Sequence, residues 1–203
     1  TDIHRELLSK GILGGVEVAN SGRYNVIAHR MAEEYDLTLF SNSDAHHDVA
    51  ANYEGSHRPM TIIFAKEKTP EAIQEALEDK RTLAYFRNYL VGRQKEAEAF
   101  FKAALTVSVE ELKGKNAPKL RISFTNQSQI PFQVKISSEF MIEDLPLGQL
   151  SLEAKDTTNI ILYPVWQVPE ELEFHLQVGN ILVSPENALE TILSVPTTTK
   201  SKE

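Results

Sequence analysis

The spacing of apolar residues changes near residue 106, and this change restricts the fold more than any other feature of the sequence. Before it, short apolar runs alternate with segments of helical periodicity. After it, apolar residues recur at every second position, in runs about ten residues apart. A chain with both textures is expected to form an α/β part followed by an all-β part. With 203 residues available, we predict two domains, over residues 1–105 and 106–203.

The first part carries short apolar runs of the length of buried strands, at residues 15–20, 37–40 and 60–65. Segments with helical spacing separate these runs. Thr69, Pro70 and Glu71 supply the cap, the proline and the acid that are typical of a helix start. Strands separated by helices predict parallel βαβ units. A further helix is predicted over 88–104, at the end of this part.

Three or four strands are too few to close a barrel, so we expect the first part to be the C-terminal portion of a larger β/α domain. The chain begins at Thr1, within a helical pattern. A start inside a regular element suggests a processed or truncated fragment. An arbitrary boundary or a lost initiator Met explains the same start equally well.

The second part predicts a small immunoglobulin-like β-sandwich. Residues 120–124 and 132–136 alternate apolar and polar side chains, and a polar turn separates them. The spacing typical of antiparallel sandwiches predicts further strands over 160–165, 172–178, 181–183 and 189–195. The residues from 197 onward form a polar tail.

Composition excludes several classes of function. The net charge is −8 and no segment concentrates Lys and Arg, so the chain lacks the basic stripe that nucleic-acid binding requires. It contains no cysteine, which excludes disulfides, thiolate metal ligands and a cysteine nucleophile. No apolar run reaches the length of a membrane-spanning helix, so we predict a soluble protein.

Asp44 and His46 follow the apolar run at 37–40, where the chain becomes abruptly polar. If the extended conformation continues, their side chains point to the same face, because they are two residues apart. Ligands bind at the carboxyl ends of parallel strands, and a carboxylate with an imidazole suits Zn²⁺, Mn²⁺ or Fe. The sequence therefore predicts a pair of metal ligands. The alternative is a solvated polar loop, because Ser, Asn, Asp and His are common turn residues.

Three further residues are candidates for substrate binding: Asn20, His47 and Arg58. Asn20 ends a predicted strand, His47 follows the predicted ligands, and Arg58 suits bidentate recognition of phosphate. Backbone capping by Asn20 and simple solvation of His47 and Arg58 are the alternatives. Glu17 lies mid-strand between two valines, where an acid is unusual, and either reaches the site or pairs with a buried cation. His29 is interpreted as a packed structural histidine.

Several of these segments together resemble the last third of a PHP (polymerase and histidinol phosphatase) domain. The resemblance covers roughly residues 1–92. It includes the strand at 15–20, the helix that carries His29, the segment 58–61 and the helix that starts at Thr69. The Asp-x-His element formed by Asp44 and His46 is its most specific part.

What the resemblance implies is a distorted β/α barrel that holds two or three divalent metal ions and hydrolyses phosphate esters. Asp-x-His is the final motif of the family, so the resemblance makes Asp44 and His46 catalytic metal ligands, with Zn, Mn or Fe as the ion. The substrate would be a small-molecule phosphate ester, attacked by metal-activated water.

The chain also departs from the family pattern. None of its six histidines forms a His-x-His motif, and the other ligand motifs of the family have no counterpart. Two ligands do not complete a hydrolytic site, which needs at least three protein ligands and an open position. We therefore expect an inactive fragment, unless the missing N-terminal part of the barrel is supplied by the same or a separate polypeptide.

Two other functions stay open. One is a non-catalytic module, in which the β-sandwich contacts a partner or a glycan and the α/β part serves as a scaffold. The other is an amidohydrolase-like barrel, which also places a catalytic Asp at a strand end. An appended sandwich is associated with extracytoplasmic bacterial enzymes, so a periplasmic location is the expectation.

Overall fold

A computed structural model describes the chain over residues 2–49, 53, 57–112, 118–164 and 167–197. The described chain divides into two compact units. The first unit comprises Thr1–Ala97 with Ile181–Asn187, and the second comprises Glu98–Asn180 with Ala188–Glu203. The predicted start at Thr1, the end of the predicted strand at residue 165 and the polar tail from 198 onward lie outside the described residues.

The first unit combines helices with short strands. Its described helices are α1 (Asp2–Ser9), α2 (Val26–Glu34), α3 (Pro70–Glu78) and the start of α4 (Gln94–Ala104). Its described strands are β1 (Gly15–Asn20), β2 (Arg23–Tyr24), β3 (Thr38–Asn42), β4 (Met60–Ile63), β5 (Thr82–Phe86) and β6 (Tyr89–Gly92).

Strands β1 and β3 form a parallel pair joined through α2, as the sequence predicts. Helix α2 begins where the Asn25 side chain accepts a hydrogen bond from the backbone N–H of Ala28, 3.1 Å away. Thr69 caps α3 in the same way, which confirms the predicted helix start. These caps satisfy N–H groups that have no partner within the helix, and so each fixes where a helix begins.

Strands β4, β5 and β6 are antiparallel, so the prediction of parallel units throughout the first part is wrong. Only two residues join β5 to β6, and Arg87 in this turn adopts a φ of 51°. A connection this short permits only an antiparallel hairpin. The helix predicted over 88–104 accordingly starts later, at Gln94, because Tyr89 lies in β6. Among the described strands of this unit, no barrel closes.

Side-chain hydroxyls attach β3 to the β4–β5 pair. Thr61 Oγ1 accepts a hydrogen bond from the backbone N–H of Ser41 at 2.9 Å and lies 3.1 Å from its carbonyl oxygen. Thr82 Oγ1 donates to the carbonyl oxygen of Leu39 at 2.9 Å. The core beneath includes Val18, Ala19, Ala32, Leu37, Ala84, Phe86 and Val91. Strand β3 is therefore held on both sides, and its carboxyl end has a fixed position.

The second unit is antiparallel and confirms the predicted sandwich. Its strands are β7 (Leu105–Leu112), β8 (Lys119–Asn126), β9 (Phe132–Ser137), β10 (Met141–Ile142), β11 (Gln149–Leu152), β12 (Thr157–Tyr163), β13 (Glu171–Leu182) and β14 (Ala188–Pro196). One sheet has the order β10-β12-β8-β7, and in the other β9 lies between β11 and β13, which also pairs with β14. Phe124 and Phe174, one from each sheet, pack edge to face with ring centroids 5.9 Å apart.

A short return of the chain completes the first unit. Ile181 and Leu182, the last residues of β13, pair in parallel with Leu90 and Val91 of β6. The turn that follows carries Glu186, whose carboxylate forms an ion pair with Arg30 of α2. The prediction of a separate strand over 181–183 is wrong, because Ile181 and Leu182 continue β13, and the sequence pattern does not show that this strand ends beside β6.

Candidate functional site

The carboxyl ends of β1 and β3 lie side by side. Asn20 and Asn42 are register partners at the end of this parallel pair, and the backbone N–H of Ser21 donates to the carbonyl oxygen of Asn42 at 3.1 Å. The residues that follow both strands are polar. This edge is where ligands bind in open α/β sheets, and it places the segment after β3 in the position of a site.

The segment from Ser43 to His46 forms a turn and does not continue the strand. Strand β3 ends at Asn42, and Asp44 adopts a φ of 51°. The expectation that Asp44 and His46 continue in extended conformation is therefore wrong. The left-handed backbone at Asp44 is one that Asp tolerates better than most residues, because its short polar side chain can bond locally.

The turn fixes the orientation of the His46 imidazole. His46 Nδ1 lies 2.7 Å from the carbonyl oxygen of Asp44. Since a carbonyl oxygen only accepts, Nδ1 carries a proton, and in the neutral ring the lone pair lies on Nε2. A backbone carbonyl that holds one imidazole nitrogen is a common arrangement in metal-binding histidines, where the other nitrogen binds the ion. Both side chains are exposed, and no described residue hydrogen-bonds the Asp44 carboxylate.

The backbone beside this turn is held by two hydroxyl groups. Ser21 Oγ lies 3.1 Å from the carbonyl oxygen of Ser43, and the Tyr53 hydroxyl donates to the same oxygen at 3.2 Å. Ser21 itself occupies the left-handed region, with a φ of 49°. The turn after β1 and the turn after β3 are therefore connected directly.

The described residues supply only part of a metal site. No group of three or more His, Cys, Asp or Glu side chains able to hold a metal ion occurs among them. Asp44 and His46 offer one carboxylate and one oriented imidazole, which suit Zn²⁺, Mn²⁺ or Fe as far as two donors can. They supply at most two of the ligands that such a site needs, and the described residues provide no group of three.

The other predicted residues are placed differently. Asn20 lies at the edge itself and donates from Nδ2 to Glu17 Oε2 at 2.9 Å. His47 and Arg58 are exposed, and their side chains make no hydrogen bond or ion pair with any described residue. The backbone carbonyl of Arg58 accepts from His57 Nδ1 at 2.9 Å. Asn20 is thus joined to the edge of the site, whereas no contact in the described chain joins Arg58 to it.

Glu17 takes part in the edge, and Asn42 was not predicted at all. Glu17 Oε1 accepts from Asn42 Nδ2 at 2.5 Å, and Glu17 Oε2 accepts from Asn20 Nδ2. Glu17, Asn20 and Arg23 also line a hollow of about 500 Å³ beside the start of α2. The signal available in the sequence was the acid in the middle of a valine-rich strand. The role of Asn42 depends on strand pairing, which the sequence does not display.

His29 lies in the core, as interpreted from the sequence, and is 1% exposed. Its Nδ1 is 2.7 Å from the Tyr24 hydroxyl, and the Tyr24 ring stacks on Phe86 with centroids 6.0 Å apart. Burial lowers the pKa of His29 from 6.5 to about 4, with Arg93 adding to the effect and Glu186 opposing it. His29 is therefore neutral at physiological pH and is not part of the polar edge.

Comparison with known families and structures gives two findings. The family described as Ig-like domain (DUF5001) matches residues 105–194. A crystal structure from Bacteroides vulgatus, of a two-domain protein described as containing a predicted PHP-like metal-dependent phosphoesterase, matches with a TM-score of 0.81 and 27% identity. The match covers 96% of this chain and 56% of the other, so this chain spans little more than half of that protein's length.

Other comparisons add little. A C. elegans MSP family member, WR4, matches 47% of this chain at 12% identity, covering 98% of its own length, but its TM-score of 0.30 supports no argument. No curated protein matches this chain. In the parts of the chain that the structure describes, no helix is both long and apolar enough to cross a membrane.

Proposed function

We propose that the first unit belongs to a PHP-like metal-dependent phosphoesterase domain, and that Asp44 and His46 are two of its metal ligands. The reaction would be hydrolysis of a small-molecule phosphate ester. The other ligands would come from a part of the domain outside these 203 residues, on the same or a separate polypeptide. The second unit would be an accessory Ig-like domain.

The observation that carries the proposal is the His46 imidazole in the turn after β3. Its Nδ1 donates to the Asp44 carbonyl oxygen, so in the neutral ring the lone pair lies on Nε2. A solvated polar loop does not require this orientation. The similarity to the Bacteroides vulgatus protein supports the proposal, because it extends over 96% of this chain.

Each residue of this chain would have a limited role in the complete site. Asp44 would supply carboxylate oxygens, and His46 would supply Nε2, held in place by the bond at Nδ1. A divalent ion, when bound, lowers the pKa of a coordinated water and so generates the nucleophile for hydrolysis. With two donors from the described chain, binding here is expected to be weak and turnover absent without the remaining ligands.

Metal binding by this chain can be tested with paramagnetic Mn²⁺ on ¹⁵N-labelled protein. Sub-stoichiometric MnCl₂ should broaden the imidazole signals of His46 before those of the exposed histidine His175, the matched control. Asp44→Asn should weaken this effect by at least about tenfold, because it removes the neighbouring charged donor. Equal broadening of both histidines, or no change in Asp44→Asn, would contradict the proposal and favour a non-catalytic module.

A further inference from the structure

Glu17 connects the two strand ends that carry the proposed site. Its carboxylate accepts one hydrogen bond from Asn20 Nδ2 at 2.9 Å and another from Asn42 Nδ2 at 2.5 Å. Asn20 ends β1 and Asn42 ends β3. One side chain from the middle of β1 therefore holds the last residue of its own strand and the last residue of the neighbouring strand. Hydrogen bonds to an ionised carboxylate are the stronger ones, because the acceptor is charged.

The carboxylate also decides how the two amides are turned. Both Nδ2 groups face Glu17, so the amide oxygens Oδ1 face away from it. The one proton of the Ser21 hydroxyl is shared between two acceptors, Asn20 Oδ1 at 3.0 Å and the Ser43 carbonyl oxygen at 3.1 Å. Within the described chain, Asn42 Oδ1 has no protein partner and is presented at the edge. A chain of contacts thus runs from Glu17 to the residue that precedes Asp44.

We propose that Glu17 is a positioning residue for the Asp44–His46 turn, an inference that rests on the proposed function. Each of its two oxygens accepts a hydrogen bond from one asparagine amide, so its carboxylate contacts both strand ends. Its function is to keep the ends of β1 and β3 together, and so to keep Ser21, whose hydroxyl reaches the Ser43 carbonyl oxygen, beside the turn. The backbone from which the two ligands project then has one conformation before any ion binds.

A single and a double substitution test this role. Glu17→Gln keeps the acceptor for one asparagine but places an NH₂ group against the other. It should therefore speed hydrogen exchange at the Ser21 amide, which bonds to the Asn42 carbonyl, on the order of tenfold. In the double variant with Asn42→Asp, the new amide at residue 17 can donate to the new carboxylate at residue 42, so the hydrogen bond re-forms in the reverse direction. The rate of hydrogen exchange at the Ser21 amide should then return toward that of the wild type. Glu67→Gln, at an exposed acid without a described partner, is the control.

Mn²⁺ affinity at His46 gives the second measurement. Glu17→Gln should weaken it about tenfold or more, and the double variant should restore part of the loss. If the signals of wild-type His46 do not respond to Mn²⁺, the proposed function fails. Hydrogen exchange at the Ser21 amide still tests the positioning role of Glu17 in that case. The positioning role is refuted if Glu17→Gln leaves hydrogen exchange at the Ser21 amide unchanged, or if this amide exchanges as fast in the double variant as in the single one. This conclusion holds whatever the Mn²⁺ affinity at His46 is.

Discussion

The buried imidazole of His29 should make the first unit sensitive to mild acid. Burial lowers its pKa to about 4, because the charged form has lost contact with water. In the unfolded chain the same group returns to the ordinary value of 6.5. Between these two values the unfolded state binds a proton that the folded state does not. The stability that the neutral His29 imidazole contributes is therefore complete above pH 6.5 and is lost as the pH falls toward 4.

The size of the effect follows from the two pKa values. One pKa unit corresponds to about 1.4 kcal/mol, so the full difference is worth about 3 kcal/mol below pH 4. At pH 5 the loss should already be about 2 kcal/mol. Tyr24 accommodates the neutral ring, since its hydroxyl can donate to Nδ1 across 2.7 Å. A protonated ring would place an N–H against this hydroxyl and leave its charge largely unsolvated.

Urea unfolding followed by NMR signals of the first unit would measure this loss. Leu39 and Ala19 lie in the core of that unit and report on it alone. His29→Gln removes the titrating group, so the variant should lose about 2 kcal/mol less than the wild type between pH 7.5 and pH 5. His175→Gln, at an exposed histidine, should leave the wild-type dependence unchanged. Equal pH dependence of the His29 variant and the wild type would refute the assignment.

Three further predictions concern stability. Asn126→Ala should lower the free energy of unfolding of the second unit by about 2–3 kcal/mol in urea titrations. Nδ2 of this buried amide donates hydrogen bonds to two backbone carbonyl oxygens, at 2.8 and 3.1 Å. Both oxygens would lose their donor in the variant. Gly148→Ala should cost at least about 2 kcal/mol, because φ is +69° and the added carbon would lie 2.3 Å from a backbone oxygen. Gly14→Ala, with nothing within 4 Å, is its control and should stay within about 0.5 kcal/mol. Residues 1–105 produced alone should show faster amide exchange in β6 than the full chain, because the paired segment 181–187 is missing; equal exchange would contradict the pairing.

Much of the local structure could be predicted because its causes lie close together in the sequence. Strand β1 has the predicted bounds 15–20, and α3 starts after Thr69 as its capping residues indicate. The alternation in the second part identifies β8 and β9, since apolar side chains at every second position need one buried face. Asp44 and His46 could be singled out because a polar pair after an apolar run is itself a local pattern.

The edge of the candidate site was harder to predict, since it depends on which strands are neighbours. Glu17 and Asn42 are 25 residues apart, and only the parallel pairing of β1 with β3 brings their side chains together. The conformation at Asp44 is likewise set by the turn, which Ser21 and Tyr53 hold through the Ser43 carbonyl. Without these contacts, an extended continuation of the strand was the simpler expectation.

The sequence by itself determined the two textures, the start of α3, strands such as β1, β8 and β9, and the position of the Asp-x-His pair, because periodicity and capping act within a few residues. Only the tertiary structure decided that β4, β5 and β6 are antiparallel, that 181–187 joins the first unit, and that Nδ1 of His46 is held by a carbonyl. These features depend on hydrogen bonds between segments distant in the chain or on turn geometry. Such bonds form only once packing has chosen which backbone groups meet, so spacing along the sequence does not reveal them.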